Sequence, residues 1–407
     1  MNDNLGKIIK LNRIQLGLKQ DFISSKANIS KSHLSRMERN KEKISIEVAQ
    51  NFFEFMGIEY TSDNLSDEFE NLFYEFYKSY AFDLNYEQAY NELYKYKDKI
   101  RSTTSYPKFL LAEMIYSIIH LKHYHISKYE LLEEYFEYLE SYQLQLYYIF
   151  KGLSSRKRND NMEALKMYKI AERYIGNDIS NSMLYYHISI VMQNLNILSE
   201  SYDYIQKAKQ LFVDILNLRR QVLSEFQIAL IETSRNNYDK GIKIYRRCIE
   251  AFKQLNMNYD IKIAYNNLLW TYLKSKQYDQ ILLLKDEVLR FVGKSHSIYF
   301  YLSYTYYVKG DIDKAKRYIK LAKESLDHPT VYMEAMIKAF SGLLSKSSLE
   351  KKEKYLKEAY HCAILNQDRD VEIFSLELLT NFYLQNGHHQ DAIAYQQRLL
   401  ECYKEKC

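Results

Sequence analysis

A short helix-start signature recurs along most of this chain, at intervals close to the length of a helical hairpin. The segments are "NMEAL" at 161, "SYDYI" at 201, "NYDKG" at 237, "QYDQI" at 277, "DIDKA" at 311, "SLEKK" at 348 and "HQDAI" at 389. On their second residue the first six lie 40, 36, 40, 34 and 37 residues apart. "NYEQA" at 85 fits one further unit at twice this period, with a weaker unit near residue 124. Such a period fits two-helix units, each unable to bury its apolar face alone and therefore stacked on its neighbours. Two prolines and ten glycines in 407 residues leave little material for strands and tight turns, so the expected fold is all-α.

The first seventh of the chain does not share the period. Residues 1–58 hold ten Lys/Arg against six Asp/Glu, which is +4 of the total +5. A basic head on a nearly neutral body suits binding to a polyanion. Four or five short amphipathic segments fit within residues 3–58. Leu5, Ile8, Ile9 and Asn12 begin the first, and "KQDFISSKA" is the second, with Phe22, Ile23 and Ala27 facing inward. Ser30 is placed to cap a third helix whose Leu34 and Met37 share one face. Ser45 can cap a fourth, running through Val48, Phe52, Phe55 and Met56 to Gly57. At 100° per residue, Ser32, Ser35, Arg36 and Arg39 fall opposite Leu34 and Met37, with Lys31 at the helix start. A small, polar, basic outer face suits the major groove, where serine allows close approach and arginine can fork onto guanine.

"LKQDFISSKANISKSHLSRMERN" (18–40) resembles the helix-turn-helix of the xenobiotic-response-element, or Cro/C1-type repressor, family. The resemblance rests on Arg13, Leu18, Gln20, Ile23, Ala27, Ile29, Ser30, Leu34, Ser35, Arg36 and Glu38, closed by "SIEVAQNFFEFMGI". Ser24 and Asn28 replace the family's usual alanine and glycine. It implies an Arg13–Glu38 pair tying the first helix to the third, and Gln20 on a phosphate or beside a base. Lys31, Ser32 and Arg36 are then the candidates for base edges, with Ser35 on the same face. Lys19, Arg39 and Lys43 are candidates for phosphates, and His33 is either a DNA contact or a partly exposed helix residue.

The body looks like a tetratricopeptide-type array, clearest in "AYNNLLWTYLKSKQYDQILLLKDEVLRF" from Ala264, with Tyr265, Leu268, Tyr272, Tyr278 and Ile281 at consensus places. The expected architecture is a helix-turn-helix domain at 1–58, a polar linker at 59–66 and a right-handed helical solenoid at 67–407. A solenoid presents a concave wall formed by the first helix of each pair. Counting from the repeat anchors puts Asn194, Asn266, Trp270, Phe300, Tyr304, Glu377 and Asn381 on that wall, with Gln227 and Asn267 beside it. Side-chain amides both donate to and accept from an extended peptide backbone, while aromatic residues form side-chain pockets.

Other function classes find little support. The sequence contains no glycine-rich phosphate loop, G-x-S-x-G or HExxH. "HLKHYH" (His120, His123, His125) and "GHHQD" (His388, His389) lack placeable third and fourth ligands, so neither a metal nor a cofactor is expected. Cys248, Cys362, Cys402 and Cys407 have no paired spacing and read as reduced thiols. "MNDNLGKIIKLNR" lacks an apolar secretion core, and no apolar run nears the roughly 18 residues of a membrane helix. A repressor-type head on a tetratricopeptide body resembles the Rgg/PlcR-like regulators of the RNPP group. That resemblance implies a cytoplasmic homodimer on a palindromic operator in double-stranded DNA, controlled by a short signalling peptide and making no membrane contact. The alternative keeps the head and makes the repeats a scaffold for a protein partner.

Overall fold

The computed structural model describes residues 5–61, 65–120, 126–326, 329–366 and 368–404, and every regular element among them is helical. The chain divides into two compact units, Met1–Ser224 and Glu225–Cys407.

The first unit starts with α1 (Leu5–Gln15), α2 (Gln20–Lys26), α3 (Lys31–Glu38) and α4 (Ile46–Phe55). Ser30 accepts a hydrogen bond from the His33 N–H at 3.2 Å and Ser45 one from Val48 at 3.3 Å. Both caps thus form where the sequence places them. Ile8, Ile9, Leu11, Ile23, Leu34, Ala49, Phe52 and Phe53 build the head's core. Two inward assignments fail: Phe22 is 45% exposed, and α4 buries Ala49 and Phe53 rather than Val48 and Phe55. The buried stripe on α4, which packs against α1 and α2, is Ala49, Phe52 and Phe53, with Met56 just past its end.

Gly6 allows α1 and α3 to approach. A Cβ built there would lie 1.9 Å from the carbonyl oxygen of Met37, a backbone atom that cannot rotate away. Gly6→Ala should therefore destabilise the head by about 1–3 kcal/mol. Hydrogen exchange of head amides in the full chain should show the loss, and unchanged protection would refute the close approach.

The first unit continues with α5 (Ser66–Ala81), α6 (Tyr86–Tyr94), α7 (Lys97–Ile100), α8 (Tyr106–His120) and a 3₁₀ segment (Ile126–Tyr138). The hairpins α9 (Ser141–Lys157)/α10 (Asn161–Ala171) and α11 (Asp178–Asn194)/α12 (Leu198–Asp214) follow, and α13 (Leu218–Ser234) carries the boundary between the units. The head docks here. The fully buried Asn12 amide donates to the Arg101 carbonyl at 2.7 Å, Thr61 N–H donates to Ser102 Oγ at 2.9 Å, and Lys7 and Lys10 pair with Glu137 and Glu134. The C-terminus of α5 is pinned as well: Asn217 and Arg220 both donate to the Ala81 carbonyl at 3.1 Å. A cation is favoured at that negative helix end.

The second unit holds α14 (Tyr238–Gln254), α15 (Asn258–Lys274), α16 (Tyr278–Val292), α17 (His296–Val308), α18 (Ile312–Glu324), α19 (Val331–Leu344), α20 (Leu349–Leu365), α21 (Arg369–Gln385) and α22 (His389–Lys404). Six of the turns between paired helices share a device, a residue with positive φ shortly before the second helix (Asn159, Asn196, Asn236, Lys276, Gly310 and Gly387), whereas α20 is opened by the Ser348 cap. Glycine and asparagine suit this left-handed turn. The device corrects one register. "SYDYI" lies a turn inside α12, whose first residue is Leu198, whereas Tyr238, Tyr278, Ile312 and Leu349 do open their helices. The weak unit near 124 falls outside the described residues.

Candidate functional site

In the head, α3 is held from beneath and open above. The guanidinium of Arg13 grips Glu38 with two bonds, Nε to Oε1 at 2.6 Å and Nη2 to Oε2 at 2.9 Å, and its Nη1 donates to the Leu18 carbonyl at 2.8 Å. Both side chains are nearly buried, at 10% and 2% exposure. This is the tie between α1 and α3 that the resemblance implied. Gln20 turns inward to the same carboxylate, its Nε2 2.7 Å from Glu38 Oε2. In this structure it orients Glu38 rather than facing outward.

The outer face of α3 carries the other candidates. Lys31, Ser32, Arg36 and Arg39 are exposed, as are Lys19 and Lys43 to either side. Lys31 pairs with Asp21 at 3.0 Å, Ser32 Oγ lies 3.0 Å from Ser30 Oγ, and Arg39 donates to Ser35 Oγ at 2.5 Å. A residue missing from the sequence reading sits among them. Glu42 takes His33 Nε2 at 2.6 Å and Arg36 Nε at 3.2 Å. Although burial works in the opposite direction, the bonds from Arg36 and His33 hold the Glu42 carboxyl below its ordinary value. A carboxylate lying against two candidate DNA contacts restrains both. Its only sequence signal is an acid four residues past a helix end, which is common on any surface.

Among the repeats, Asn194 belongs to the first unit. It is exposed at the end of α11, with Nδ2 3.3 Å from Asn161 Oδ1. The second unit gathers several of the rest. Trp270 of α15, Phe300 and Tyr304 of α17, and Phe340 of α19 surround or adjoin Phe374 of α21; ring centroids lie 5.7 Å from Phe374 to Trp270, 6.1 Å to Phe300 and 4.8 Å to Tyr304. Phe300 is 1% exposed and Tyr304 7%, so these two are core residues and not wall residues, contrary to the count. A side chain from α21 covers them.

Trp270 and Asn266 remain half-exposed on α15. The Asn266 side chain has no hydrogen-bond partner among the described residues, while the Asn267 side chain is spent on its own helix, donating to the Ile263 carbonyl at 2.9 Å. Asn381 is exposed on α21, a turn beyond Glu377, which takes the Tyr403 hydroxyl at 3.4 Å. Gln227 is 4% exposed, and its Nε2 has no partner.

A cavity of about 810 Å³ opens at two successive hairpin turns, lined by residues 236–240 and 274–277. The count did not reach these residues. Lys274 is bonded to Asp370 at 2.7 Å, Lys240 to Glu232 at 2.8 Å, and burial, with Asp370, Tyr403 and Glu377 adding, pushes the Tyr238 hydroxyl up to about 12. It is a polar, charge-balanced mouth. Among the described residues no cluster of three metal-ligating side chains occurs, and no helix is long and apolar enough to cross a membrane. His120 pairs with Glu87 at 3.3 Å, while His123 and His125 lie outside the described residues.

Comparison with known proteins adds to this geometry. Residues 9–61 match the helix-turn-helix family model. The chain is 25% identical over 324 residues to the transcriptional activator NprA of Geobacillus stearothermophilus, covering 75% of this chain and 79% of NprA. It is 23% identical over 257 residues to response regulator aspartate phosphatase I of Bacillus subtilis, covering 59% of this chain and 64% of the phosphatase. The apo form of the quorum sensor NprR from B. thuringiensis superposes with a TM-score of 0.65 at 14% identity, over 84% of this chain and all of that one. NprR in complex with its cognate peptide NprX gives 0.54 at 15% identity, over 82% and 97%. At such identities the two structures establish a shared fold.

Proposed function

We propose that this chain, which has the helix-turn-helix head and helical-repeat body of the RNPP-type peptide-sensing regulators, is a transcriptional regulator whose repeats bind a short linear peptide that controls DNA binding. One observation carries the peptide half of the reading: the Asn266 side chain, half-buried on the inner helix α15, has no partner among the described residues. A side-chain amide held in place with both its donor and its acceptor unused is equipped for a peptide backbone. Trp270 one turn away, with Glu377 and Asn381 on α21, extends the same wall. The transcriptional half is supported by the exposed Lys31, Ser32 and Arg36 on a helix fixed by Arg13 and Glu38, and by the likeness to the activator NprA.

The same reading assigns residues 1–58 to DNA and 67–407 to peptide sensing and dimerisation, with a cytoplasmic homodimer on a palindromic operator. The chain acts by binding rather than by catalysis. For the peptide to act as a switch it must bind two states of the repeats unequally, since equal affinity would shift nothing. A second reading, in which the repeats engage a protein, draws on the likeness to an aspartate phosphatase named for response regulators.

The test measures operator affinity with and without short peptides encoded beside the gene. Asn266→Ala should weaken peptide binding roughly ten- to hundredfold, as expected for the loss of two backbone hydrogen bonds. Operator affinity without peptide should stay unchanged. Ser32→Ala with Arg36→Ala should abolish operator protection at moderate salt. Equal peptide responses in wild type and Asn266→Ala would favour the protein-partner reading.

A further inference from the structure

In the first unit, far along the chain from the head, a set of buried polar atoms is left unsatisfied by the described residues. The hydroxyl of Tyr77 and both ring nitrogens of His187 have no partner there, and the Tyr168 hydroxyl and Arg156 Nε have none beyond the interaction of these two side chains with each other. Tyr77 and Tyr168 are fully buried and His187 is 4% exposed. Native interiors leave few such groups unpaired, and a cluster of them calls for an explanation.

The residues belong together. The Tyr168 and His187 rings stack at 5.9 Å, and Tyr186 joins them, its ring 5.8 Å from His187 and 5.7 Å from the Arg220 guanidinium. Arg156 and Arg220 both act on His187 and on Tyr80, which also lies against Phe150 beside Tyr77. Gly152 makes room for the arrangement, since a Cβ there would meet the Tyr168 ring at 2.5 Å. Burial, followed by the two guanidiniums, keeps His187 neutral, well below its ordinary value. The carboxylate acting on Tyr80, Asp83, is already bonded to Arg219 at 2.6 Å.

The unmatched groups are mainly donors. Arg156 Nε can only donate, each tyrosine hydroxyl has a proton to give, and a neutral imidazole carries one N–H. Two half-exposed guanidiniums stand at the edge of the cluster. We infer that Arg156, Arg220, Tyr77, Tyr168 and His187 form a binding site for a small oxyanion, a phosphate or a carboxylate. An oxyanion supplies several acceptors at once, and its bonds to ionised donors are the strong ones. The site is separate from the wall around Asn266 and does not depend on the peptide reading.

The experiment is isothermal titration of the full chain with inorganic phosphate and, separately, with acetate. Saturable binding of phosphate alone identifies a phosphate site, and saturable binding of acetate as well identifies a site that also accepts a carboxylate. Arg156→Gln should weaken binding about tenfold or more, which corresponds to about 1.4 kcal/mol. Tyr77→Phe distinguishes a binding role from a merely structural one. Deleting an unpartnered hydroxyl should leave the thermal midpoint without anion unchanged or higher, yet weaken anion binding. Because His187 is neutral without the anion and is favoured as a cation beside it, binding should take up protons, read as a heat that varies with the buffer. The charged groups that act on His187 are Arg156 and Arg220, while the Tyr168 and Tyr186 rings pack against it. No saturable heat with either anion, or equal affinity in wild type, Arg156→Gln and Tyr77→Phe, would overturn the assignment.

Discussion

Glu38→Ala should cost the head about 3–5 kcal/mol and abolish operator binding, because it leaves the Arg13 guanidinium buried without its counter-ion. The magnitude follows from burial. A surface pair would contribute under about 1 kcal/mol, but Glu38 is 2% exposed and receives two bonds from Arg13 and one from Gln20. Removing it strands an arginine and an amide at once. The loss is large against the roughly 5–15 kcal/mol that holds a typical domain together. Head amides should lose hydrogen-exchange protection while Trp270, in the second unit, keeps its fluorescence. Operator binding within twofold of wild type would show that α3 does not need this tie. Glu38→Gln keeps the shape without the charge and should fall between the two.

Phe374→Ala should destabilise the second unit by a similar amount, about 3–5 kcal/mol, the usual range for deleting a buried phenylalanine ring. Phe374 is 4% exposed and meets Trp270, Phe300 and Tyr304 within 6.1 Å, so its loss opens a hole bordered by three aromatic rings on two helices. Edge-on ring pairs of this kind contribute beyond their buried area. The chain's one tryptophan is among the neighbours, so its emission reports the change directly. We expect a red-shifted Trp270 and an earlier urea transition by that probe. Peptide binding should fall as well, since Asn266 is carried by the same helix as Trp270. An unshifted emission maximum would mean that the cluster repacks around the gap.

Local signals were readable in the sequence where the cause was local. Ser30 and Ser45 cap their helices because a serine oxygen reaches the N–H three residues on, whatever the rest of the chain does. Tyr238, Tyr278 and Ile312 open helices for an equally local reason, a left-handed turn just before them, and Leu349 opens its helix behind the Ser348 cap. The failures concern which neighbour covers a face. Helical spacing gave Phe300 and Tyr304 an orientation toward the inner side, but it contains no statement that Phe374, some seventy residues on, would close over them. Helical period points Phe22 inward, yet it is 45% exposed. Glu42 is not legible in the sequence because its role lies in bonds to His33 and Arg36 that helical spacing does not specify. The slip at "SYDYI" has a different origin: Tyr202 and Asp203 imitate a helix start inside α12.

The left-handed turns also have a consequence in heredity. Among the described residues, six of the nine non-glycine positions with positive φ are asparagine: Asn28, Asn40, Asn159, Asn196, Asn236 and Asn256. The two codons for asparagine differ from the two for lysine only in the third base. A single transversion therefore replaces a residue that tolerates this backbone with one that does not, at a strain of about 1–2 kcal/mol. Lys276, at φ 59°, already occupies such a turn. Copying errors at the codons of Asn159, Asn196 and Asn236 would act on the turns between paired helices while leaving every apolar side chain unaltered.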